Sequence, residues 1–106
     1  MIVVTTESVP GKKIVKTVGL VRGNTTRARH IGRDILAGLK NIVGGEITEY
    51  TKLMAESREQ ALDRMSAEAK RLGANAVVGS RFTTSFISAG AAELLVFGTA
   101  VVVEDA

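Results

Sequence analysis

The chain has 106 residues, 45% of them hydrophobic, with one Tyr, three Phe, no Trp and no Cys. That is the size of one small domain with an aliphatic, Ala-rich core. The missing cysteines exclude disulfides, thiolate metal sites and thiol nucleophiles, and a net charge of +3 is mildly basic without the clustered charge of a nucleic-acid binder.

Ile2 to Thr5 is predicted as a short strand, its consecutive apolar residues suggesting burial on both faces. The N-terminus has no basic region followed by a long apolar stretch, so no signal peptide is expected. No apolar run is long enough to span a bilayer. The expected location is the cytoplasm. Val9-Pro10-Gly11-Lys12 predicts a turn, because Pro presets φ and Gly tolerates φ > 0.

Ile14 to Val21 is predicted as a second strand, with Ile14, Lys16, Val18 and Leu20 on one face and Val15, Thr17, Gly19 and Val21 on the other. Arg22 to Thr26 is expected to break it, Thr25 or Thr26 capping a following helix. Ile31, Ile35, Leu39 and Ile42 trace an apolar stripe at helical spacing, and Gly44-Gly45 suits the end of that helix. A second helix is predicted from between Glu46 and Thr51 to about Leu72. Its inward stripe is Met54, the Arg58 stem, Ala61, Leu62, Met65, Ala69 and Leu72, and Gly73 stops it.

Ala76 to Phe86 is predicted as a third strand, with Val78, Ser80, Phe82, Thr84 and Phe86 on one face and Val77, Gly79, Arg81, Thr83 and Ser85 on the other. Glu93 to Val103 is the fourth, apolar on both faces: Leu94, Val96, Ala100 and Val102 against Leu95, Phe97, Val101 and Val103. The order is β-β-α-α-β-β in one domain spanning 1–106. Helices on one side of a two-layer domain cover one sheet face. Apolar residues on both faces of the strands therefore call for a second cover, and another copy of the chain is the economical one.

Catalytic patterns are missing. One histidine, no G-x-S-x-G and no Gly-Lys-Ser/Thr ending after Gly23 exclude the commonest nucleophile, P-loop and dinucleotide signatures. No enzyme activity is expected. His30 and Asp34 stand four residues apart on the predicted first helix, acceptable spacing for two metal ligands, with Glu46 or Glu49 as completing donors. A surface or subunit-contact hydrogen bond is the simpler use of that pair. Arg22, Arg27, Arg29 and Arg33 surround a predicted helix N-terminus, where a phosphate or carboxylate could bind. A solvated basic face is the simpler alternative. Glu46 and Tyr50 are expected close to this segment and complete the ligand-binding candidates, although Tyr50 also suits a core or interface position. Without an exposed aromatic platform, nucleic acid is not an expected partner.

An ordered set of motifs runs through the chain: Gly19-Leu20-Val21-Arg22-Gly23, Ala28-Arg29-His30-Ile31-Gly32-Arg33-Asp34, Gly44-Gly45-Glu46, Tyr50-Thr51, Ala61 to Met65, Gly73-Ala74-Asn75-Ala76-Val77-Val78-Gly79 and Phe97-Gly98-Thr99-Ala100-Val101. Together they resemble the YbjQ-like family, small bacterial and archaeal proteins of unknown function with a provisional heavy-metal-binding label. The resemblance covers essentially the whole chain. It implies a dodecin-like α+β subunit, with two helices packed on one side of an antiparallel sheet. It also implies assembly into a homo-oligomeric ring, a pentamer. The metal label implies a divalent cation, but the residues themselves indicate no cofactor. The family brings no catalytic residues to transfer.

Overall fold

The computed structural model describes residues 1–27, 48–88 and 91–106. Within them the order is β1 (Ile2–Val3), β2 (Lys12–Arg27), α1 (Thr48–Arg71), β3 (Ala76–Ser88) and β4 (Ala91–Asp105). The four strands form one sheet in the order β1-β3-β4-β2. The fold is α+β, as expected, with one helix among the described residues. The predicted first helix lies almost entirely in 28–47, outside them.

The sheet is mixed and not wholly antiparallel. β4 pairs antiparallel with both β2 and β3, while β1 runs parallel to β3. A parallel pair needs a long crossover, and here everything between β1 and β3 supplies it. The second correction concerns Arg22 to Thr26. These residues do not break the strand. β2 continues through them, in register with β4 from Arg22↔Phe97 to Thr26↔Glu93. Thr25 and Thr26 are therefore strand residues.

The turn before β2 is as predicted. Lys12 N donates to Val9 O at 3.1 Å, and Gly11 has φ +78°. At the open ends of β2 and β4, Lys12 Nζ donates to Asp105 Oδ1 at 2.7 Å. That hydrogen bond, and then the ammonium charge, hold the Asp105 carboxyl below its ordinary range.

α1 forms because Thr48–Arg71 is rich in Ala, Glu, Leu, Met and Arg and contains no Gly or Pro. Its buried residues recur every four positions: Ser57, Ala61, Met65 and Ala69. Ala61, Met65 and Ala69 pack on Val21, Val77, Val96 and Ala100. Arg58 and Leu72, expected on this stripe, are exposed. The helix ends in a Schellman arrangement, with Ala74 N donating to Ala69 O and Gly73 N to Lys70 O, both at 3.0 Å. Asn75 then acts as an extra strand residue. Its side-chain amide donates to Val103 O at 3.0 Å and its Oδ1 accepts from Val103 N at 2.8 Å.

The helix approaches β2 at backbone range. A Cβ added to Gly23 would overlap the Ala61 carbonyl oxygen and lie 2.5 Å from Met65 N. Both contacts are to backbone, so no side chain can swing away. α1 consequently lies over β2 and β4 and scarcely touches β3.

Bulges decide the sheet faces. The register of β3 on β4 shifts between Val78 and Arg81, where Gly79 adopts φ +64°. Val78, opposite Thr99, therefore shares its face with Arg81, opposite Phe97, and not with Phe82 as strict alternation predicts. β2 has shifts at Ile14/Lys16 and Thr17/Gly19, which likewise undo its predicted alternation. β4 keeps the expected two faces. On the sheet face away from α1, Ala76, Val78, Val101 and Val103 form a second apolar cluster, against which Ile2, Val4 and Val9 pack.

Gly23→Ala is expected to lower stability by about 3 kcal/mol, at the upper end for overpacking, and Met65→Ala by roughly 2–5 kcal/mol. Urea unfolding measures both, and a Gly23→Ala chain as stable as wild type would disprove the close helix approach. For Asp105, a lowered folded-state pKa stabilises above the ordinary carboxylate pKa and ceases to do so as pH falls through the folded value. Asp105→Asn should shift the urea midpoint only slightly at neutral pH, since the pair is exposed, and the difference should vanish in strong acid.

Candidate functional site

The strand registers convert the sheet face away from α1 into rows across β2, β4 and β3. Antiparallel partners point to the same side. The rows are Leu20–Thr99–Val78, Arg22–Phe97–Arg81, Asn24–Leu95–Thr83 and Thr26–Glu93–Ser85. Below these rows, Ile2, Val4 and Val9 pack against the apolar cluster of this face. Among the described residues, the rows themselves have no comparable cover. Leu20 is 68% exposed, and Phe97 and Leu95 are half-buried.

Arg22 and Arg81 flank Phe97 on this face, and both are exposed. Arg81 is anchored. Its Nη1 donates to Thr5 O and Ser80 O, each at 2.8 Å. The same stretch of β3 holds the N-terminal segment by its backbone, through Gly79 N to Thr6 O at 2.8 Å and Ser80 N to Val4 O at 3.1 Å. Arg22 has no hydrogen-bond or ion-pair partner among the described residues, whose one salt bridge is Lys12–Asp105. The acid nearest along the rows, Glu93, accepts from Asn24 Nδ2 at 3.1 Å.

Of the residues predicted as ligands, Arg22 lies within β2, on the sheet face away from α1. Arg27 is the last residue of β2, and Tyr50 lies in the first turn of α1. His30, Asp34, Arg29, Arg33 and Glu46 lie outside the described residues. Arg81 and Phe97 are the additions that sequence reasoning missed. Strict alternation put Arg81 on the face of Val77, and only the Gly79 bulge moves it. Phe97 reads in the sequence only as one apolar residue of the predicted fourth strand.

Two other places offer less. A cavity of ≈ 30 Å³ lies among Thr25, Met54, Ser57, Thr84, Ala92, Glu93 and Leu94, room for about one water. The outward face of α1 presents Glu56, Glu59 and Asp63 beside Lys52, a solvated acidic stripe. Among the described residues no three His, Cys, Asp or Glu side chains stand close enough to hold a metal ion, and no helix is long and apolar enough to cross a membrane.

Comparison with known proteins adds the family. Residues 1–104 match the YbjQ family model, described as "Putative heavy-metal-binding". A UPF0145 protein of Archaeoglobus fulgidus is 61% identical over 101 residues, 95% of this chain and 94% of that protein. UPF0145 protein PH1682 of Pyrococcus horikoshii is 59% identical over 104 residues, 98% of this chain and 89% of that one. A Pediococcus pentosaceus protein of the DUF74 family, its function unknown, has a crystal structure similar to this fold, with TM-score 0.66 and 13% identity over 98% of both chains. At that identity the likeness concerns the fold alone.

Arg81→Gln removes two bonds to backbone carbonyls. It should destabilise the protein by about 1–3 kcal/mol and speed hydrogen exchange at the amides of Val4, Gly79 and Ser80. Unchanged exchange there would mean that Arg81 does not hold the N-terminal segment.

Proposed function

This chain belongs to the YbjQ family, whose relatives carry the name UPF0145, and we propose that it is a cytosolic, homo-oligomeric binding or scaffold protein without catalytic machinery. The observation that carries this reading is the half-covered sheet. Ile2, Val4 and Val9 pack against the apolar cluster at one end of the face opposite α1, while Leu20 is exposed and Phe97 and Leu95 are half-buried at the other. β2, 16 residues long, is also the sheet edge among the described residues, where strands of about 5–6 residues are usual. Long open edges are templates for pairing with another chain. Lys12, Lys13 and Lys16 with the two bulges guard the first half of β2, whereas the stretch from Leu20 to Arg27 stays in regular register. A second copy laid over Leu20 and this edge would complete the cover. Repetition of such a contact gives a ring when the rotation closes, and the pentamer implied by the family resemblance is the ring proposed.

The family description raises a metal, and the donors present do not suit a heavy one. Soft metals select thiolates, and the chain has no Cys and a single His. The described residues hold no donor cluster. A divalent cation would have to rest on His30 and Asp34, completed by other copies.

Light scattering should give a mass near five times the 11.2 kDa of the chain. Leu20→Lys should shift the protein toward monomer without loss of fold, because Leu20 is mostly exposed within its own subunit. A stable wild-type monomer at micromolar concentration would end the assembly proposal. For the metal reading, calorimetry with zinc, copper and nickel should give the same weak heats for wild type and His30→Ala. Stoichiometric binding that His30→Ala abolishes would reverse this expectation.

A further inference from the structure

We propose that Arg64 is an edge guard: reaching from α1 to the Asn24 carbonyl on the open side of β2, its guanidinium stops further copies of the chain from adding strands there. The role goes beyond the assembly proposed above. It concerns what limits association, and it holds for a ring and for a single subunit alike.

The ladder fixes which backbone groups face outward. Val101 O accepts from Asn75 N, on the β3 side of β4. Backbone groups of successive strand residues turn to alternate sides, so Thr99, Phe97, Leu95 and Glu93 also turn theirs to β3. Their partners on β2 are Leu20, Arg22, Asn24 and Thr26. These pairs are of the non-hydrogen-bonded kind, and the four β2 residues direct N–H and C=O away from β4, along the sheet edge. The other side of the sheet obeys the same alternation. Val77, paired with Ala100, turns its carbonyl away from β4 and accepts from Val4 N at 2.9 Å. The outward carbonyl of Asn24 is occupied from within the chain, because Arg64 Nη1 donates to it in a solvent-exposed bond.

Three features make this bond a guard and not an incidental surface contact. The first is delivery. α1 meets β2 at backbone range where Ala61 O and Met65 N face Gly23. Arg64 immediately precedes Met65 and Asn24 immediately follows Gly23, so the close seating of the helix carries the guanidinium to the edge. The second is the choice of acceptor. Glu68 stands four residues on, at the spacing of a helical ion pair, yet the one salt bridge among the described residues is Lys12–Asp105 and Arg64 reaches the strand. The third is where protection is needed. Bulges and charged side chains blunt sheet edges, and the first half of β2 has both, with register shifts at Ile14/Lys16 and Thr17/Gly19. The regular half has no bulge, and there α1 supplies the charge. An incoming strand would offer Asn24 O a neutral N–H. It would have to displace a charge-assisted bond roughly twice as strong as a neutral one and crowd a guanidinium that is always protonated. Side-chain contact at Leu20 requires neither, so the proposed subunit contact remains available.

Light scattering from micromolar to millimolar concentration, with hydrogen exchange on the same samples, tests the guard. Wild type should keep one mass throughout. Arg64→Ala, which retains a good helix former, should grow several-fold in mean mass as concentration rises, with slower exchange at the Arg22 and Asn24 amides. Arg64→Lys keeps a cation and should grow less. Adding Asn24→Pro to Arg64→Ala removes an outward N–H, a change that edge strands tolerate, and should restore the wild-type mass. Circular dichroism and urea midpoints confirm that each variant is folded, and Thr26→Pro, at the next outward residue, serves if Asn24→Pro unfolds the chain. A folded Arg64→Ala protein with the wild-type mass at every concentration overturns the guard. So does growth that persists in the folded proline variant, since it would then run through another surface. The reference is wild type at whatever mass it has, so a monomeric wild type, which ends the ring proposal, leaves this comparison decisive.

Discussion

The rest of the structure depends on the missing side chain at Gly23. Helix and strand meet there backbone to backbone, with Ala61 O and Met65 N where a Cβ would stand. Apart from Met65, the buried helix residues are correspondingly small: Ser57, Ala61 and Ala69. Such close seating places α1 over β2 and β4. It also narrows what one helix can cover. Phe82, on the helix side of β3, is left 46% exposed. A wider core with large side chains would hold the helix farther out and let it shield more of the sheet. This chain trades breadth of cover for tightness of contact.

The second determinant is the bulge in β3. Bulges re-aim side chains and increase local twist. Gly79 takes φ +64°, a conformation that costs other residues. Gly98 lies across from it, and a Cβ there would meet Val77 Cγ1 at 2.6 Å. Together the two glycines let β3 shift register without parting from β4. Arg81 is thereby carried to the face of Phe97, where its guanidinium reaches Thr5 and ties down the segment that covers the lower cluster. One local irregularity therefore controls both the cover at one end of the sheet face and the charge at the other.

Much of this was legible in the residues. The Pro10-Gly11 turn, a helix starting between Glu46 and Thr51, the stop at Gly73 and the doubly apolar β4 all follow from local chemistry: a preset φ, helix formers without interruption, a glycine cap, and consecutive β-branched residues. What failed depended on partners distant in sequence. Gly23 resembles a strand breaker until β4 pairs with both sides of it and α1 is seen to need its emptiness. The parallel pairing of β1 leaves no mark in a two-residue strand. Alternation assigns faces correctly along β4, which has no bulge of its own, and fails in β2 and β3, which absorb the irregularities. The placing of Arg22 beside a helix N-terminus rests on residues 28–47, outside the described ones; among the described residues Arg22 is a β2 residue paired with Phe97.

Cover and charge are linked on that face. Were it entirely apolar, a second copy would be the only sensible occupant. Were it entirely polar, water would suffice. It is graded along β2, from Leu20 to Arg22, Asn24 and Thr26, and across the sheet the same rows hold Phe97 and Leu95 between polar flanks. Apolar contact is strongest at the Leu20 end and hydrogen bonding at the Thr26 end, with Arg22 at the transition. A subunit contact centred on Leu20 would bring a low-dielectric wall beside the arginines. Screening there would fall and their attraction for an anion would rise.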